Sequence, residues 1–248
     1  MDIIIHGATG HMGQLVAQCA ERGFAGARIA ALVSPSSPEG GGENCYSALN
    51  ACPDGDFIVV DFSNHAATTE LLDCCIRRRW PVVIATTGQT AEETAAIHAA
   101  AEQIPVFHAA NTSVGIAVLA DLAARAAAAF PDADIEIVET HHHRKLDVPS
   151  GTALLLARAI QKVRGTATLH IGRHENGRRT PQEIGVHSIR LGNTVGVQEI
   201  LISTGSETLS LKHQAEDRTL FAEGALTAAA FLQGRDAGYY TMQDLLGN

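Results

Sequence analysis

The sequence predicts an α/β fold: a doubly wound parallel sheet, joined to a second α+β domain with a mixed open sheet. Three observations carry this. Short apolar runs alternate with helical stretches through the first half of the chain, which is the signature of a parallel sheet with crossover helices. Beyond Thr112 the apolar residues instead recur at every second position within longer segments, as in strands with one face buried. The length of 248 residues, with 46% hydrophobic and 18% charged content, suits one large globular domain or two modest ones.

The first element is the run Ile3–Ile5, too short and too apolar for an amphipathic helix. Gly7, Ala8, Thr9, Gly10, His11, Met12 and Gly13 follow at once, and a helical pattern covers Gln14–Arg22 through Leu15, Val16 and Cys19. Strand, glycine turn and helix in this order are the context of a Rossmann-like dinucleotide site. The glycines allow a tight turn and close approach to a pyrophosphate, and the helix start offers it N–H groups and a positive dipole end. The spacing GxxGxxG is a variant, and glycine turns also serve as plain βα connections. Its place after a buried strand favours the cofactor.

Ile29–Val33 is the second strand, and Ser34-Pro35-Ser36-Ser37 stands at its end. An NAD-selective unit usually carries Asp or Glu there to hold the ribose 2′-hydroxyl. Without that carboxylate, and with hydroxyls in its place, the site suits NADPH or both cofactors, although no Arg or Lys is at hand to neutralise a phosphate. The alternative is a plain serine surface loop. Gly40-Gly41-Gly42 predicts a mobile loop.

Phe57–Phe62 is a further strand, closing on Asp61-Phe62-Ser63, and Ala66–Arg77 is helical. Val82–Thr87 is a strand ending at Thr86-Thr87-Gly88, and Thr90 with Glu93 forms a capping box that opens a helix through Glu102. Pro105–His108 leads to Ala109-Ala110-Asn111-Thr112. Ligands of such sheets bind beyond the carboxyl ends of the strands. The glycine turn, Ser34, Thr86-Thr87-Gly88 and Asn111-Thr112 are therefore expected to line one crevice.

A helix over Val114–Phe130 opens the second part. Gly185–Leu191, Val195–Ser203 and Glu207–His213 read as strands, and Gly172–Gln182 as a long exposed loop. Leu209 and Leu211 share one face of their strand, so one face of the sheet is covered by helices and the other is left to pack on something. From Thr219 to Leu232 an Ala-rich helix suits packing back onto the first domain. The predicted boundaries are 1–112 with 219–248 for dinucleotide binding, and 113–218 for substrate binding and oligomerisation.

The net charge of −9 argues against a nucleic acid or an anionic membrane as partner. The N-terminus lacks a signal-peptide pattern, and no apolar segment is long enough for a membrane span, so the expected location is cytoplasmic. Five cysteines with no CxxC pair read as reduced thiols.

The stretch Glu136–Ala153, EIVETHHHRKLDVPSGTA, changes abruptly from a buried strand to titratable groups. Ser150, Gly151 and Thr152 follow a proline and precede a helix, so their N–H groups and hydroxyls are expected to face outward and seat a carboxylate or phosphate. A simple N-cap is the alternative. Lys145 and the adjacent histidines favour an anionic substrate that must accept a proton. Three neighbouring histidines rarely converge on one ion, and neither an HExxH motif nor a cysteine pair accompanies them, so no metal is expected. The absence of a GxSxG elbow disfavours a serine hydrolase.

Glu136, Ile137, Glu139, His142, Lys145, Asp147 and Pro149-Ser150-Gly151-Thr152-Ala153 together resemble the signature of the bacterial 4-hydroxy-tetrahydrodipicolinate (dihydrodipicolinate) reductases. The resemblance takes in the glycine turn, Asp61-Phe62-Ser63, Thr86-Thr87-Gly88, Ala110–Gly115 and Arg218–Ala225, nearly the whole chain. It implies hydride transfer from NADH or NADPH to a cyclic imine dicarboxylate, giving tetrahydrodipicolinate on the diaminopimelate route to lysine. His141 and Lys145 match acid–base positions, Lys145 being the favoured proton donor. His142 matches a substrate-binding position, and Ser150, Gly151 and Thr152 a carboxylate clamp. The cofactor positions are Gly7 to Gly13, Ser34, Ala85, Thr86, Thr87, Ala109, Ala110, Asn111 and Thr112. Family members are homotetramers, which suits the uncovered sheet face. Arg218 is a candidate for steadying the closing hinge, or an ordinary surface arginine. His11 stands where many members have arginine, and Ser34 where a common form is acidic, so the choice between NADH and NADPH stays open. Rival readings are a non-catalytic nucleotide sensor and a related dehydrogenase acting on another imine.

Overall fold

The computed structural model describes residues 1–36 and 44–247. Ser37 and the Gly40–Gly42 run lie outside the described residues. The chain divides into two compact units, Met1–Val114 with Arg218–Asn248, and Gly115–Asp217.

The first unit is built on a parallel sheet of β1 (Asp2–His6), β2 (Arg28–Val33), β3 (Cys45–Tyr46), β4 (Ile58–Asp61), β5 (Val82–Ile84), β6 (Pro105–His108) and β12 (Gly238–Tyr240). Their order in space is β12-β6-β5-β4-β1-β2-β3. β1 pairs with β2 on one side and β4 on the other, so the winding reverses there and opens a crevice beyond the carboxyl ends of β1 and β4. The strands are apolar on both faces because helices cover both. Ile3 and Ile5 meet α1 (His11–Glu21) and α6 (Thr219–Leu232), whereas Ile4 meets the layer of α2 (Thr68–Arg78) and α3 (Ala91–Ala101). All three isoleucines are fully buried, each worth ~1.5–3 kcal/mol of transfer free energy.

Three features depart from the expected boundaries. α1 begins at His11 rather than Gln14, because Gly10 is its N-cap and the glycine turn overlaps the first helical turn. β5 stops at Ile84, which leaves Ala85, Thr86 and Thr87 in a loop closed by Gly88 at φ +92°. β3 and β12 are short edge strands with too little apolar pattern to stand out in the sequence. The capping box of α3 is present: Thr90 accepts from Glu93 N at 3.2 Å and Glu93 accepts from Thr90 N at 2.7 Å. All five cysteines are free. Burial pushes the Cys52 thiol up to about 11, so it is an inert core group.

The second unit begins with α4 (Val114–Ala129), which continues from the first, and holds β7 (Asp134–His141), α5 (Gly151–Val163), β8 (Thr168–Ile171), β9 (Glu183–Arg190), β10 (Gly196–Ser203) and β11 (Thr208–Ala215). The sheet is mixed, in the order β11-β10-β7-β9-β8, with β7, β8 and β9 parallel and β10 antiparallel to both its neighbours. Ile135, Ile137, Ile184, Val186, Ile200 and Ile202 form a fully buried layer under α4 and α5. β8 leaves no pattern in the sequence, since Thr168-Leu169-His170-Ile171 is half-exposed and lacks a buried face. The 172–182 loop is irregular as expected, except that Arg179 folds back: it donates from Nε to Asp134 at 2.7 Å and also pairs with Glu136. The short α7 (Met242–Leu245) ends the described chain with its own capping box. Among the described residues, no helix is long and apolar enough to cross a membrane.

Candidate active site

In the first unit the glycine turn is pinned to the end of β2. Gly7 N and Ala8 N both donate to Val33 O, at 2.9 and 3.1 Å, and Gly10 N donates to Gly7 O at 3.0 Å. Gly7 sits at φ +84°, and a β-carbon there would stand 2.5 Å from Phe62 O. A β-carbon on Gly13 would collide with the Gly7 carbonyl, so helix and turn touch backbone to backbone. Gly10 caps α1 without a side-chain hydrogen bond, leaving the N–H groups of the first helical turn for an anion. This arrangement fits a dinucleotide's pyrophosphate.

Beside the turn, Thr9 Oγ1 lies 2.6 Å from Ser34 Oγ and 3.0 Å from Ser36 Oγ, and the two serine hydroxyls are 3.0 Å apart. This triangle of hydroxyls occupies the place of the usual strand-end carboxylate. Ala85 continues the ladder through its N–H to Asp61 O at 3.0 Å, and Ala109 N donates to Ile84 O at 3.1 Å. Thr86 Oγ1 is buried and has no hydrogen-bond partner among the described residues, which suits a site that receives a polar group. Asn111 accepts from Ser113 N at 2.9 Å, and Thr112 donates to Phe221 O at 2.7 Å. That last bond lets α6 lie directly on the loop: a β-carbon on Gly224 would run into the Thr112 carbonyl oxygen. All these groups stand at the carboxyl edge of one sheet. Nothing in the local sequence marks a role for His6, whose Nδ1 is 2.8 Å from Asp61, or for Ser63, which donates to the same carboxylate at 2.6 Å.

In the second unit the titratable groups gather where β7 ends and α5 begins. Alternation along β7 puts Glu139 and His141 on the same face as Ile135 and Ile137. Glu139 is fully buried and hydrogen-bonds His141 Nδ1. It also accepts from Arg190 Nη1 at 3.0 Å, from Arg190 Nη2 at 2.9 Å and from Ser150 N at 3.2 Å. Burial pushes the carboxyl pKa up, but the bonds from His141, Arg190 and Ser188 outweigh it and bring the value down to about 2. Gly196, opposite on β10, gives the imidazole its space: a β-carbon there would stand 3.2 Å from His141 Nε2.

Lys145 is in the loop after β7, with Nζ 2.7 Å from Asp147 Oδ1. Lys145 N donates to His142 O at 3.1 Å, and His143 N to Gly192 O at 3.1 Å, so the loop is held by its own turn and by the β9–β10 connection. The structure brings His141, His142, Lys145, Ser150, Gly151 and Thr152 into this one region of chain. One expectation fails. The Ser150 hydroxyl faces inward, accepting from Ala153 N at 3.2 Å and from Gln198 Nε2 at 3.3 Å, because it is the N-cap of α5. Gly151 and Thr152 are left at the helix start, and a β-carbon on Gly151 would meet open space.

Arg190, Gly196 and Gln198 were not anticipated. No local pattern marks them, since they reach the site through strand register from distant segments: Gln198 stands opposite Glu139, and Arg190 beside His141. Glu139 did carry a signal, as a charged residue at a core-facing period-two position. Among the described residues, no cluster of His, Cys, Asp or Glu has the makings of a metal site.

Residues 1–112 match the family model described as dihydrodipicolinate reductase, N-terminus, and residues 115–246 the one for the C-terminus. The chain is 40% identical over 246 residues to a 4-hydroxy-tetrahydrodipicolinate reductase of Caldanaerobacter subterraneus, covering 98% of this chain and 97% of that one. It is 40% identical over 245 residues to the enzyme of that name from Exiguobacterium sp., covering 99% and 95%. Among solved structures, a dipicolinate-bound dihydrodipicolinate reductase from Paenisporosarcina sp. TG-14 superposes with a TM-score of 0.79 at 25% identity, over 97% of both chains.

Proposed function

The chain belongs to the dihydrodipicolinate reductase family, and from this we infer that it reduces 4-hydroxy-tetrahydrodipicolinate to tetrahydrodipicolinate on the diaminopimelate route to lysine. It is an NAD(P)H-dependent oxidoreductase. The observation that supports the reading is the junction of β7 and α5, where Glu139 holds both the His141 ring and Ser150 N at the helix start and Lys145 lies in the loop between them; cations, N–H groups and a helix dipole there favour a small dicarboxylate.

Bound NADH or NADPH supplies the hydride. The first unit would hold its pyrophosphate on the N–H groups around Gly7, Ala8, Thr9, Gly10, His11, Met12 and Gly13, with Ser34 toward its ribose. Ala85, Thr86, Thr87, Ala109, Ala110, Asn111 and Thr112 would hold the nicotinamide end. The second unit binds one substrate carboxylate on Gly151 N, Thr152 N and the Thr152 hydroxyl, with His142 on the other side. Ser150 serves this clamp from behind by capping the helix. Loss of the 4-hydroxyl as water gives the α,β-unsaturated imine; hydride addition to that system leaves an enamine-like anion, and Lys145, cationic beside the dicarboxylate, protonates it. His141 assists that proton transfer through Nε2. The protein works as a cytoplasmic homotetramer.

An assay with freshly generated condensation product of pyruvate and aspartate semialdehyde tests the reading, following nicotinamide absorbance with each cofactor. Oxidation with at least one is expected, and none with either would overturn it.

A further inference from the structure

Glu139 is an odd residue for the position it fills. The core-facing row of β7 runs Ile135, Ile137, Glu139, His141, and a carboxylate in that row is fully buried under the N-cap of α5. Burying a charge is costly unless every lone pair is used. Here Oε1 accepts from Ser150 N and Arg190 Nη2, and Oε2 from Arg190 Nη1 and the His141 ring, with the Ser188 hydroxyl a further donor to the carboxylate. An ionised carboxylate only accepts, so the bond to His141 requires that Nδ1 carry the hydrogen. Nε2 is then the free lone pair, on the side where Gly196 leaves space. Arg190 makes one bond more, from Nη2 to Asp147 O at 2.8 Å, in the loop that holds Lys145.

We propose that Glu139 and Arg190 are a positioning pair: the carboxylate fixes the His141 tautomer and ring, and the guanidinium fixes the carboxylate while tying down the Lys145 loop. The proposal rests on the proton-transfer reading of His141 and Lys145. A buried ion pair of merely structural use would need no histidine on its second oxygen. The pair also explains why a fork is required, since a lysine ammonium cannot bridge both carboxylate oxygens and the loop carbonyl in the same plane.

Glu139→Gln is the informative change. Its single amide oxygen is drawn to the Oε1 position, where Ser150 N and Arg190 both donate. The NH2 then faces His141 Nδ1 and forces the hydrogen onto Nε2. In two-bond ¹⁵N–¹H spectra, with His141 identified by the cross-peaks lost in His141→Asn, the wild-type ring is expected as the Nδ1–H tautomer and the Glu139→Gln ring as Nε2–H. The variant's kcat should fall roughly 10²–10⁴-fold, the range of a positioned acid–base group, with KM changed less than about threefold. Arg190→Lys should lower kcat about tenfold or more.

A wild-type Nε2–H tautomer would overturn the proposal, and that measurement stands even if Glu139→Gln does not fold. So would a Glu139→Gln enzyme of unchanged kcat when His141→Asn is impaired. A His141→Asn enzyme with full activity would instead remove the underlying role of His141, a failure distinguishable from the first because the tautomer result is independent of turnover.

Discussion

The His141 imidazole lies against Gly196, where a β-carbon would stand 3.2 Å from Nε2, closer than such contacts normally are. A side chain at residue 196 would press on the ring from the strand opposite, while Glu139 holds the ring from Nδ1. Gly196→Ala is therefore expected to lower kcat about 10–10²-fold through displacement of the ring, with a small change in melting temperature. Steady-state kinetics beside a thermal melt separate the two, and unchanged kcat would show that the ring tolerates the methyl group.

Lys145 is the proposed proton donor, and its ion pair with Asp147 involves a carboxylate more than half exposed. Lys145→Ala should cost roughly 10²–10⁴-fold in kcat, the usual contribution of a positioned proton donor. Asp147→Asn should cost less than about tenfold, because an exposed pair of this kind contributes little to holding the lysine. Equal losses in the two variants would mean that the pair, and not the ammonium, is what the reaction needs.

At the cofactor end, Ser34 belongs to a triangle of hydroxyls with Thr9 and Ser36. Ser34→Asp places a negative charge where a 2′-phosphate would lie and an acceptor where a 2′-hydroxyl would. NADPH binding should weaken at least about tenfold relative to NADH, read from the ratio of kcat/KM values. Equal loss of both cofactors would show that Ser34 does not face the 2′ position.

The Glu139 carboxyl predicts a pH dependence of stability. Its folded value of about 2 lies below the ordinary 4.5, so its contribution is complete above the unfolded value and is lost as the pH falls toward 2. Urea midpoints of the wild type should drop more steeply between pH 5 and 3 than those of Glu139→Gln. Parallel curves would place the acid sensitivity in other carboxylates.

By itself the sequence determined what is local. The strand, glycine turn and helix at residues 3–22, the Thr90–Glu93 capping box, the helix from Thr219 to Leu232 and the crowded stretch from Glu136 to Ala153 each complete their pattern within a few neighbouring residues. Period, turn chemistry and cap preference act over that range. Tertiary structure alone decided how the site is held. Arg190 meets Glu139 from 51 positions away, Gly196 faces His141, and Gly224 lies on the Thr112 carbonyl, each through sheet register or helix docking with no local trace. Ser150 shows the same limit, since its hydroxyl could face a ligand or cap its helix, and the burial of Glu139 and Gln198 beneath it settled the matter. A buried carboxylate survives only where several strands and a helix start bring donors to it at once, and that convergence exists only in the folded chain.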